Sequence, residues 1–298
     1  MYHSLDFKML SKSEAQSISF NTYKDLFLVP TSRPVINPPA VKTKTIEVPG
    51  ANGSIDLTDS LTPYPVYNNR TGSIEFAVLN DKMDWAVLYS KIMNYIHGRK
   101  GRMILEDDPG WYYEGRWSVG NWTSNNDGTW STVSLDYDLY PYKLEVATSI
   151  EGSAETGSDR WKWSPFSFVD GVIFNLLEPT GWSAGVGDSL FKNIPVDSDD
   201  WVSYGVFSNS QGPYMSRKIT GWMPVCPKIT VSAANMGVRL TDAEQNPKSP
   251  YLVYEKTYDN AGSYTDPQLI LYDWSGNGYR LYLKGHGTVT IEFRRGSL

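Results

Sequence analysis

Apolar and polar positions alternate with a period of two over residues 73–79, where Ile74, Phe76 and Val78 stand against Ser73, Glu75 and Ala77. That alternation predicts a half-buried strand. The period then changes. Trp85, Leu88, Tyr89, Ile92 and Ile96 recur at helical spacing, with Asp81 placed to cap the start, Asp84 in the first turn and Gly98 as the stop. This predicts a helix that lays one apolar face on a sheet. Residues 102–105, 111–119 and 129–137 read as further strands, separated by the turn-forming runs Asp108-Pro109-Gly110 and Asn125-Asn126-Asp127-Gly128.

Upstream, residues 21–58 follow another rule. Five prolines fall between Pro30 and Pro49, each fixing φ and removing a backbone donor, so the stretch predicts an extended, surface-running connection. Within it residues 43–48 alternate enough, Ile46 and Val48 against Thr45 and Glu47, to form a strand. Pro49-Gly50 ends that strand, and Asn52-Gly53 suits the positive φ of a tight turn. Such a segment is better fitted to reaching a neighbouring chain than to cradling a substrate.

Residues 145–160 lose their aromatics and become small and polar, the profile of a linker. The domains expected are therefore 1–145 and 146–298. In the second, residues 268–273, 279–284 and 288–294 form three short runs, the last two joined by Gly285-His286-Gly287, and predict a meander. Val289, Ile291 and Phe293 share one face of the final run, and a single buried face implies a sandwich. Residues 185–224 are aromatic yet aperiodic, the pattern of an excursion available to a partner. The fold class expected is mainly β: an N-terminal β-sandwich-type domain with one inserted α-helix, followed by a C-terminal β-sandwich.

Composition agrees with that class. Hydrophobic residues make up 40% and charged residues 20% of 298, which is a globular balance. The aromatic share of 14%, with 11 Trp and 20 Tyr, favours strands. The net charge is −6, and division at Glu145 leaves −3 on each half, so neither carries the basic excess that phosphate-backbone binding needs. One cysteine, Cys226, rules out an intrachain disulfide framework and any four-cysteine metal site. Asp6 and Lys8 interrupt what would be the apolar core of a signal peptide, and no apolar run approaches the length of a membrane span, so neither general export nor membrane insertion is expected.

The search for chemistry returns weak signals. Gly181-Trp182-Ser183-Ala184-Gly185 has the G-x-S-x-G spacing of a hydrolase elbow, but Pro179 precedes it where a strand should run, and Gly187 and Pro195 follow where a helix should. A plain loop accounts for it better. His3, His97 and His286 share no metal-ligand spacing. Asp107-Asp108 and Asp199-Asp200 are adjacent pairs, which on a strand point to opposite faces and so do not form an acid/base couple. Arg99, Lys100 and Arg102 follow the helix and read as complements to its macrodipole. Trp161, Trp163, Phe166 and Phe168 alternate as core positions do, although exposed aromatics on a sandwich could stack on sugar rings. No catalytic residue, cofactor or metal is expected.

A succession of blocks carries a resemblance: NTYKDLFLVPTSRPVINPP, KTIEVPGANGSIDLT, YNNRTGSIEFAV, WAVLYSKIMNYIHGR, DDPGWYYEGR and DLYPYKLE, in that order over about half the chain. Together they resemble the N-terminal domain of distal tail proteins from long-tailed, non-contractile bacteriophages, most like those of lactococcal phages. The resemblance implies a structural virion protein: a homo-oligomeric ring, commonly a hexamer, at the tip of the tail tube. It implies contacts with the major tail protein above and the tail-tip protein below, a lumen that passes DNA without binding it, and a galectin-like C-terminal domain that can hold receptor-binding proteins. Arg33, Pro34, Pro38, Pro39, Asn52 and Gly53 are the expected contributors to the subunit interface, and Trp201, Tyr204, Phe207 and Tyr214 to the receptor-binding-protein contact. The alternative is a carbohydrate-binding β-sandwich module recognising host cell-wall saccharide.

Overall fold

The computed structural model describes residues 4–11, 17–50, 52–58, 60, 62, 64–125, 127–146, 193–207, 223–242, 252–272, 279–294 and 296–298. The chain divides into two compact units, residues 1–143 with Leu298, and residues 144–297. The protein is mainly β.

In the first unit the elements run β1 (Leu5–Met9), β2 (Ile18–Asn21), α1 (Thr22–Leu26), β3 (Leu28–Pro30), β4 (Thr45–Glu47), β5 (Ser54–Asp56), β6 (Arg70–Val78), α2 (Trp85–Ile96), β7 (Arg99–Leu105), β8 (Trp111–Ser124) and β9 (Ser131–Leu139). A short strand, β10 (Lys143–Glu145), ends this stretch of chain. The sheet order is β2-β1-β7-β8-β9-β6-β3, antiparallel throughout. Period two decides its inner face: Leu5, Phe7 and Met9 of β1, Ile74, Phe76 and Val78 of β6, and Val133, Leu135, Tyr137 and Leu139 of β9 are all buried. Trp117 from β8 lies at the centre, edge-on to Phe7 at 4.8 Å.

Helix α2 closes this core with Leu88, Ile92 and Ile96, as its spacing predicts. Trp85 and Tyr89 belong to the same periodic set but meet Trp122 edge-on at the margin. The capping differs from expectation. Residues 82–84 form a 3-10 turn ahead of the helix, and neither Asp81 nor Asp84 makes a side-chain cap bond. A second, unpredicted helix, α1, is only five residues long, too short to show a period. Asn21 sets it, because its side-chain oxygen accepts from the backbone N–H groups of Tyr23 and Lys24.

The second unit contains β11 (Ile194–Phe207), β12 (Lys228–Val231), β13 (Met236–Asp242), β14 (Leu252–Tyr258), β15 (Gly262–Thr265), β16 (Tyr279–Glu292) and β17 (Gly296–Ser297). Its sheet is ordered β14-β13-β16-β12-β15, with β11 on the other edge of β16. Here the expected meander is corrected. Residues 279–292 form one strand rather than two, because β11 hydrogen-bonds along it and carries it through residues 285–287. Gly285 and Gly287 take φ values of 112° and 156° inside that strand, not at its end. Residues 268–272 contribute only a bridge from Leu271 to Val225. The expected linker beyond Val146 lies outside the described residues.

Candidate functional site

The proline-rich segment proves to be two devices in series, an anchor and an arm. At the anchor, Ile36 is buried in the first core while its neighbours remain exposed or half-buried. The Asn37 backbone N–H donates to Tyr137 Oη (3.1 Å), and its side-chain amide donates to the Thr71 carbonyl (2.9 Å). Arg70 holds the same point from below: Nη1 donates to the Asn37 carbonyl (3.0 Å) and Nε to the Pro141 carbonyl (2.6 Å). Arg70 is 4% exposed, and its guanidinium lies over the Tyr113 ring at 5.7 Å. Burial lowers its pKa, an effect opposed by Tyr113 and Tyr137. Gly72 makes this packing possible, since a Cβ there would sit 2.5 Å from Tyr137 Oη and 2.6 Å from Asn37 Nδ2.

Beyond the anchor the chain is bridged once more, Val41 to Tyr67, and then runs out into a hairpin. Every described residue from 40 to 56 is exposed, and within that stretch β4 and β5 form a two-stranded antiparallel sheet of their own. The register places Ile46 opposite Ile55, so both side chains share one face, which Val48 joins by alternation. The other face carries Thr45, Glu47, Ser54 and Asp56. Gly50 and Gly53 take φ values of 84° and 78° in the connection, the conformation for which glycine is suited. The stem is tied where the Leu57 backbone N–H donates to the Lys44 carbonyl (2.8 Å) and the Lys44 N–H to Thr58 Oγ1 (3.1 Å), and Asp56 in turn accepts from the Thr58 backbone N–H. That bond, and the one from the Thr58 hydroxyl, lower the Asp56 pKa, the hydroxyl being the larger cause.

The sequence-derived interface residues divide between these two devices. Arg33 pairs with Asp107 at 2.9 Å, and Pro34 and Pro39 are half-buried along the anchor. Pro38 is exposed, and Asn52 and Gly53 sit exposed at the hairpin turn. Arg70, Gly72 and Tyr137 belong to the anchor, yet no local pattern singles them out: Asn37 and Tyr137 are 100 residues apart.

In the second unit, part of the expected excursion is strand β11, paired in the sheet. Trp201 is half-buried there, with the Arg239 guanidinium 4.1 Å and the Lys284 ammonium 4.9 Å from its ring. Tyr204 donates its hydroxyl to the Pro195 carbonyl, and burial, then Asp197, raises its pKa. Phe207 ends β11, and Tyr214 lies outside the described residues.

Candidate chemistry does not converge. Asp107 pairs with Arg33 and Asp108 with Lys143 (2.6 Å), so these two carboxylates serve separate cations. Lys100 and Arg102 lie on strand β7 rather than at a helix end, and both bind Glu114, at 2.6 and 2.9 Å. His286 sits exposed between Asp197 (Nδ1, 2.6 Å) and Asp199 (Nε2, 3.1 Å), which raise its pKa. The G-x-S-x-G run and Trp161–Phe168 lie outside the described residues. Among the described residues no cluster of three or more His, Cys, Asp or Glu could hold a metal ion, and no helix is long and apolar enough to cross a membrane.

No family model matches the sequence, and no curated protein matches it. Among solved structures, the chain is similar to the crystal structure of the SPP1 Dit protein (gp 19.1), described as a paradigm of the hub adsorption apparatus in phages infecting Gram-positive bacteria. The TM-score is 0.49 at 15% identity, over 98% of this chain and 99% of that one.

Proposed function

We propose that this chain is a structural virion protein that assembles into a ring at the distal end of a phage tail tube. There it acts as the hub of the host-adsorption device, linking the tube to tail-tip and receptor-binding proteins. The observation that carries the reading is the arm. A two-stranded hairpin is marginal at best in water on its own, and this one holds Ile46 and Ile55 on one face at 45% and 53% exposure. Such a face is suited to burial against another chain. The anchor strengthens the point, because an extended segment pinned at Ile36 and Asn37 presents the hairpin with little conformational entropy left to lose. The succession of sequence blocks supports the ring in particular, with six copies as the expected number. The net charge of −6 suits a lumen through which DNA passes without being held.

The carbohydrate-binding alternative is less well supported. Trp201, the described tryptophan of the second unit, is already engaged by Arg239 and Lys284. Electron microscopy of the purified protein, alone and mixed with tail-tube and tail-tip proteins, combined with mass by light scattering, tests the proposal. Closed rings are expected. A protein that stays monomeric under both conditions refutes the hub.

A further inference from the structure

The chain exposes a second apolar surface, and it lies on the helix that closes the first core. Leu88, Ile92 and Ile96 of α2 are buried, and the opposite side of an ordinary surface helix is polar. Here Met83, in the turn that leads into the helix, and Val87, four residues on, are instead exposed at 89% and 71%. Val87 lies in the first turn of the helix, just after the 3-10 turn that holds Met83. The turn between β8 and β9 lies against the same end, since a Cβ on Gly128 would meet the Lys82 side chain at 2.2 Å, and that turn leads to exposed Trp130. Asp81, Asp84 and Asp127 are exposed around this patch with Lys82 among them, a rim that is acidic on balance, whereas the stem of the hairpin arm carries exposed Lys42 and Lys44, its acidic Glu47 and Asp56 lying on the hairpin face opposite Ile46.

We infer that the apolar face of the β4–β5 hairpin docks on the Met83–Val87 face of a second copy of this chain, with Lys42 and Lys44 facing the acidic rim. The inference rests on the ring reading and names its joint. Two different patches on one chain, both apolar and with rims of opposite sign, make a head-to-tail contact, the kind that closes into a ring. Each copy then gives its arm to one neighbour and its helix to the other.

Single-cysteine variants test the joint. Ile46→Cys and Val87→Cys are each made in a Cys226→Ser background, or in Cys226→Ala if the serine does not fold. They are oxidised separately and mixed, at a concentration where light scattering finds the chain assembled. Only the mixture should give a disulfide-linked dimer, and the double variant should give a ladder of multimers. Cross-linking of either variant with itself signals a two-fold contact and overturns the inference. Assembled rings without the mixed cross-link also overturn it, while leaving the hub reading intact. A chain monomeric at every concentration, alone and with tail proteins, overturns both. An independent arm keeps the native cysteine: Lys44→Glu should weaken assembly by about fivefold, as expected for an exposed charge pair turned from attraction to repulsion. Asp84→Lys in the same chain should restore it, and failure of restoration counts against the docking.

Discussion

Adding one methyl group at Gly72 should unfasten the arm from the body of the first unit. The backbone at Gly72 lies outside the positive-φ region, so alanine there is strained only by what it touches. Those contacts are Tyr137 Oη at 2.5 Å, Asn37 Nδ2 at 2.6 Å and Tyr137 Cζ at 2.7 Å. All three are closer than a methyl carbon can approach, and Tyr137 is buried, so its ring has little room to retreat. Overpacking of this kind costs about 1–3 kcal/mol. Displacing Asn37 also breaks its bonds to Tyr137 and Thr71, at about 1 kcal/mol each. Replacing glycine within a strand returns about 0.5–1 kcal/mol through chain entropy. The net loss for Gly72→Ala is therefore about 3 kcal/mol, which for a unit of this size lowers Tm by roughly 10 °C. Calorimetry measures the loss, and hydrogen exchange should find residues 33–57 less protected while β8 and β9 keep their protection. A Tm within about 1 °C of the parent, together with unchanged exchange at Asn37, would refute the claim that Asn37 and Tyr137 pin the arm.

Ile92→Ala, at a fully buried position of α2, should cost about 2–5 kcal/mol in urea unfolding, whereas Met83→Gln should leave stability within about 0.5 kcal/mol and reduce only assembly. A stability loss at Met83 as large as that at Ile92 would contradict the exposure assigned to it. Burial pushes the Glu114 carboxyl up, but hydrogen bonds from Lys100 and then Arg102, with their charges, hold it below its ordinary 4.5. Its contribution is therefore present above that value and lost as pH falls through the depressed folded value; Glu114→Gln should cost about 1–2 kcal/mol at neutral pH and flatten the acid limb of the stability profile. His286 runs the other way. Hydrogen bonds to Asp197, then Asp199, raise its pKa above 6.5, so the clasp is complete below 6.5 and is lost as pH rises through the higher folded value. A proton NMR titration should place its midpoint above 6.5, with a return towards 6.5 in Asp197→Asn; a midpoint at or below 6.5 in the parent would refute the clasp.

Much of this architecture is legible in the residues because strands and helices leave periodic traces. Ile74, Phe76 and Val78 alternate over a sheet with one buried face, and Leu88, Ile92 and Ile96 recur over a helix with one buried stripe. The elements that misled were those whose signals are local but whose outcome is not. Gly285-His286-Gly287 has the composition of a turn, yet its neighbours β11 and β16 pair across it, and the ladder prevails over the local preference. Arg99, Lys100 and Arg102 follow a helix in sequence, but pairing with β8 draws them into a strand where Glu114 takes two of the charges. The helix α1 has too few residues to display a period and is set instead by one side chain, Asn21.

The candidate surface divides in the same way. By itself the sequence determined that residues 30–49 run extended, because proline fixes φ wherever it stands, and that 43–53 contain a strand and a tight turn, because alternation and Asn-Gly act over a few residues. Only the tertiary structure decided that Ile36 and Asn37 are held down while Ile46 and Ile55 are left uncovered. It also decided that Arg70, Gly72 and Tyr137 form the anchor and that Met83 and Val87 face outward, from the 3-10 turn and the first turn of a helix whose Leu88, Ile92 and Ile96 enter the core. The physical reason is range: backbone preference is set within a turn or two of chain, whereas burial and hydrogen-bond partnership depend on what folding brings alongside, here from 100 residues away.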